Sequence, residues 1–156
     1  MKRRFLGLVL AVIMALGLLP ATAFAAAQDP SVPQVHVIVE NTTFTETNEE
    51  TGEDPAWTGR LVDTWVNLTD DMTMMSAVAA ALDEAGVEST GATGSYISEI
   101  NGLAEMDGDD YEHDPMYVGS GWMGSLNDWF TDQGFTAYTV ANGGLQANDE
   151  IGRAHV

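Results

Sequence analysis

The stretch from Glu105 to Asp114 holds six carboxylates in ten residues: Glu105, Asp107, Asp109, Asp110, Glu112 and Asp114. Hard oxygen donors at that density suit Ca²⁺, and the candidate ligand set is Asp107, Asp109, Asp110, Glu112 and Asp114. The register of a twelve-residue calcium loop fails. With Gly108 at the sixth place, the first ligand position falls on Leu103, which cannot coordinate, so a solvated acidic loop is the favoured reading. The three histidines, His36, His113 and His155, stand in no zinc-ligand spacing. Gly119-Ser120-Gly121 lacks the flanks of a nucleophile elbow, and no Gly-rich loop or basic clamp is present for phosphate. With no such constellation, the chain is expected not to be an enzyme.

A second set of residues points to binding. Between Ser120 and Phe130 lie Trp122, Met123, Trp129 and Phe130, arranged around the turn signal Asn127-Asp128, with Tyr96 upstream and Tyr138 downstream. Large apolar side chains on short strands either fill a core or meet a ligand. In a domain without cysteine, half or more of them are expected in the core.

Composition narrows the partners. The 156 residues carry 24 acidic side chains against five basic ones, a formal charge of −19. Three of the basic residues, Lys2, Arg3 and Arg4, precede the apolar run 5–19, which ends at Pro20 before the small-x-small triplet Ala23-Phe24-Ala25. Residues 1–25 therefore read as a secretory signal peptide, and the run is short for a bilayer span. The rest of the chain keeps Arg60 and Arg153 as its basic side chains. That surface repels nucleic acid and anionic lipid, so neither nucleic acid nor, after cleavage, a membrane is expected as partner. The expected location is extracellular or at the cell surface, and the absence of cysteine leaves packing to hold the fold.

Residues 26–34, with Asp29-Pro30 and Pro33, read as a leader. Val35, Val37 and Val39 alternate with His36, Ile38 and Glu40 as in a strand, and His36 is expected to be a packed or rim histidine. The acidic segment 41–55 is a loop. A second strand spans 59–68, with Val62, Thr64, Val66 and Leu68 on one face and Trp65 on the other. A helix is predicted over 72–85, started by Thr69-Asp70-Asp71, stopped by Gly86, and facing the sheet with Met75, Val78 and Leu82. Strands follow at 96–103, with Gly102 as a turn residue, and at 138–141, and a hairpin joins 118–126 to Trp129-Phe130. The sequons at Asn41 and Asn67 are read as chance. The expected architecture is α+β: a β-grasp-like mixed sheet with one main helix packed on one face.

Three blocks carry a family resemblance: Tyr96-Ile97-Ser98-Glu99-Ile100-Asn101-Gly102, Ser120-Gly121-Trp122-Met123 with Asn127, and Gly134 with Tyr138 and Val140. In that order they resemble the bacterial secreted domains similar to the C-terminal domain of transcobalamin. The resemblance covers residues 35–149 and implies the β-grasp fold. It also implies a domain that covers one face of a corrinoid, with Tyr96, Trp122, Met123, Asn127 and Trp129 as the ligand-binding positions and cobalamin as the cofactor to test. Gly124 departs from the family pattern, which commonly has tyrosine there.

The function expected is a secreted, non-catalytic ligand-binding module for a corrinoid or another flat cofactor. The alternative is an extracellular interaction module whose hairpin meets protein or glycan. Residues 150–156, Glu-Ile-Gly-Arg-Ala-His-Val, resemble the translation of a short-read sequencing adapter. They are expected to be a non-native tail that lacks the alternation of a strand and carries no function, while a strand through Ile151 stays open because adjacent backbone pairs whatever the side chains.

Overall fold

The structure, a computed structural model, describes residues 31–47, 54–105 and 121–155. The signal peptide, most of the leader, the carboxylates 107–114 and the first residues of the expected hairpin lie outside the described residues.

Strands β1 (Gln34–Asn41) and β2 (Gly59–Asn67) form an antiparallel pair. Their period-two pattern puts Val35, Val37 and Val39 opposite Val66, Thr64 and Val62, all on the buried face. Gln34 already belongs to this ladder, so the leader ends one residue earlier than its sequence suggests.

Helix α1 spans Met74–Glu84. It starts two residues later than expected because Thr73, not the Asp70-Asp71 pair, is the N-cap. The Thr73 hydroxyl accepts from the Ser76 amide at 3.0 Å, and the Ser76 hydroxyl accepts from the Thr73 amide at 2.8 Å. The end is as expected. Gly86, at φ +67°, lets the amide of Val87 reach the carbonyl of Leu82 at 2.8 Å and its own amide reach Asp83 at 3.0 Å. Met75, Val78 and Leu82 are buried together with Met74, Ala77 and Ala81.

The strand expected at 96–103 is instead a hairpin. Asn101 and Gly102 both take positive φ, the turn that a tight hairpin requires, and they separate β4 (Glu99–Ile100) from β5 (Leu103–Ala104). With β3 (Ser89–Thr90) these make a small three-stranded sheet. Residues 138–141 form no strand but a turn, tied to the helix start by one bridge between Thr73 and Thr139.

The hairpin of β6 (Trp122–Leu126) and β7 (Trp129–Phe130) closes through Asn127 and Asp128 at φ 51° and 67°, as their sequence predicts. Strand β8 (Glu150–His155) lies beyond the domain boundary read at residue 149. It runs parallel to β1 and antiparallel to β6 and lies between them, giving the order β2-β1-β8-β6-β7. Side-chain alternation is not needed for this, since backbone amides and carbonyls pair whatever the side chains; of those turned to the core, Ile151 supplies a buried apolar one. The fold is α+β, a mixed five-stranded sheet with a helix against one face.

Candidate functional site

Trp122 was expected at a ligand rim, and the structure buries it, 2% exposed, in the main core. Its indole N–H donates to the Leu103 carbonyl at 3.1 Å. Trp57 stacks on it at 5.7 Å between centroids and donates its own indole N–H to the Ile100 carbonyl at 3.0 Å. The two tryptophans thus clamp the β4–β5 hairpin onto the large sheet, and Trp122 forms part of the inner wall of a cleft and not an exposed rim face.

Around this clamp a cleft of about 210 Å³ opens, lined among others by Met75, Tyr96, Trp122, Met123, Phe135 and Arg153. Tyr96 and Met123 are half exposed on its rim. The Tyr96 hydroxyl donates to Glu105, and burial together with that carboxylate raises its pKa. Gly124 makes the cleft's wall possible. A Cβ there would stand 1.5 Å from the Phe135 ring, so the phenylalanine fills the space that a tyrosine at 124 would claim. Sequence reading missed Phe135 and assigned Arg153 no function, and both line the cleft. Arg153 is 4% exposed, with its guanidinium carbon 4.6 Å over the Phe135 ring centre. Burial pushes its pKa down to about 10, so it remains charged at neutral pH.

The remaining expected positions do not converge on the cleft. Trp129 and Phe130 are 79% and 71% exposed on the edge strand. They pair with Leu126 and Ser125 respectively, and so point to opposite faces of the sheet. Asn127 is committed to the turn: its amide group donates to Asp149 at 2.8 Å and accepts from the Glu150 amide at 2.9 Å. Asn41, the first sequon residue, is fully buried, with its side chain bonded to the carbonyls of Phe44 and Trp57. Among the described residues no group of His, Asp and Glu is placed to hold a metal ion. No helix among them is long and apolar enough to cross a membrane.

His36 is a rim histidine, as expected, stacked on Trp65 at 4.8 Å. A carboxylate can only accept, so its Nε2 proton faces Asp63, 2.7 Å away, while Nδ1 lies 3.3 Å from Glu150. Hydrogen bonds from His36 and then Arg60 hold the Asp63 pKa below its ordinary 3.8, against the opposing effect of burial. The folded state therefore binds fewer protons than the unfolded one in this range. Asp63's contribution is complete above about pH 4 and disappears as pH falls through its lowered value. Urea denaturation at pH 5 and pH 3 is expected to show a smaller acid loss in His36→Gln than in the parent chain. An equal loss in both would remove His36 as the cause.

The chain matches no family model, no curated protein and no solved structure. The site thus rests on its own geometry.

Proposed function

We propose that this protein is a secreted, non-catalytic binding module of β-grasp type that receives a flat ligand across the cleft rim formed by Tyr96 and Met123. The fold reading is supported by the strand order, in which a parallel central pair, β1 and β8, is flanked by antiparallel hairpin partners with a helix on one face. The observation that carries the binding reading is the half-exposed Tyr96–Met123 rim above a cleft of mainly apolar walls floored by Arg153, in a domain whose other large core side chains are closed off. A corrinoid or another flat cofactor fits this reading as a ligand lying over the rim. At about 210 Å³ the cleft is smaller than pockets that enclose drug-sized ligands, so only an edge group could enter.

Titration with cobalamin is the test. One covered face desolvates only part of such a ligand, so micromolar or weaker affinity is expected, reduced further in Met123→Ala. Absence of binding at millimolar cobalamin would overturn the corrinoid. The exposed Trp129 and Phe130 favour a second reading, an extracellular protein- or glycan-interaction module that uses the hairpin edge. In that case Trp129→Ala abolishes partner capture without changing the melting temperature.

A further inference from the structure

The guanidinium at the floor of the cleft is chemically out of place. On β8, residues 151 and 153 both turn toward the helix-side core, between β1 and β6. Ile151 pairs with Val37 and Leu126 and fits that apolar setting. Arg153 pairs with Val39 on one side and Gly124 on the other, beneath the Phe135 ring. Its Nε and Nη2 are buried without a hydrogen-bond partner, and no carboxylate among the described residues forms an ion pair with it. A buried charge without a partner is destabilising, and an apolar side chain of similar size in its place commonly is not. The π face of Phe135 compensates only in part.

We infer that residue 153 determines what the cleft can hold, and that arginine there plugs a mainly apolar pocket, with Ser95, Thr131 and Gln133 as its uncharged polar lining, suited to a small hydrocarbon or aromatic group of a ligand. The inference deepens the binding reading above and rests on it for the cleft's use, while its chemistry is independent of any corrinoid. The surrounding side chains Met75, Trp122, Met123 and Phe135 supply an apolar wall. The cleft's charge comes from the one side chain that the wall cannot satisfy.

Two substitutions test this. Arg153→Met keeps an unbranched, flexible side chain, shorter than arginine, and removes the charge, and its melting temperature is expected to rise by about 4 °C or more. Arg153→Ala deepens the pocket, and saturating toluene is expected to raise its melting temperature, because apolar cavities of this kind stay dry and take such guests. The parent chain should show no response to toluene. An Arg153→Met chain that melts at or below the parent would overturn the inference. So would an Arg153→Ala chain indifferent to toluene, or stabilisation of the parent by benzoate that Arg153→Met abolishes, which would make the guanidinium an anion anchor. Toluene binding to Arg153→Ala with no cobalamin binding to the parent would uphold the pocket and remove only the corrinoid.

Discussion

Trp122→Ala is expected to cost about 3–5 kcal/mol in urea denaturation, the range for deleting a large buried aromatic. The indole is 2% exposed, stacks on Trp57 and holds the Leu103 carbonyl. Its removal opens a cavity and frees the β4–β5 hairpin together. With a typical total stability of about 5–15 kcal/mol and no disulfide, the variant would be left close to unfolding. Trp122→Phe, which keeps most of the packing and loses the indole hydrogen bond, should recover the larger part. A loss below about 1 kcal/mol for the alanine variant would place the ring at the surface and return it to the exposed rim. For the same reason, weaker ligand binding by Trp122→Ala would report lost folding, so Met123 is the better probe of the rim.

Leu82→Ala is expected to cost about 2–5 kcal/mol by the same measurement. Leu82 is 1% exposed on the helix face that meets the valines of β1 and β2, and its carbonyl also receives the amide that closes the helix end. Methionines beside it, such as Met75, are flexible gap-fillers, whereas the branched leucine fits one shape and leaves a defined void. A loss below about half a kcal/mol would mean that the helix does not pack on the sheet as described.

The parts of the fold legible in the sequence were those written in local periodicity or turn chemistry. The alternating valines gave β1, the helical stripe ending at Gly86 gave α1, and Asn127-Asp128 gave the β6–β7 hairpin. The same rule contains the chief miss. Asn101-Gly102 is as good a hairpin signal, and Gly102 reads as a turn residue, but with Leu103 alone beyond it the second arm is too short to be seen as a separate strand. Strand β8 was legible only as an open option through Ile151, since its side chains alternate poorly and its place depends on backbone partners in β6 and in the far more distant β1. The candidate site was legible only by residue type. Sequence could name the aromatic cluster but not sort it, because whether Trp122 points inward depends on strand parity across β8. Phe135 carried one faint signal, the missing side chain at Gly124 that its ring requires.

The position of β8 has a kinetic consequence. His36 and Glu150 are neighbours in the sheet although 114 residues separate them in the chain. During synthesis the β1–β2 pair must wait, with one edge of β1 unpaired, until β8 has emerged. Closing so distant a pairing is entropically slow, so the sheet is expected to be completed after its local hairpins have formed. The waiting edge is the segment most exposed to wrong pairing with other chains. A dense acidic surface then acts before the native state exists, keeping half-made copies of the chain apart by mutual repulsion.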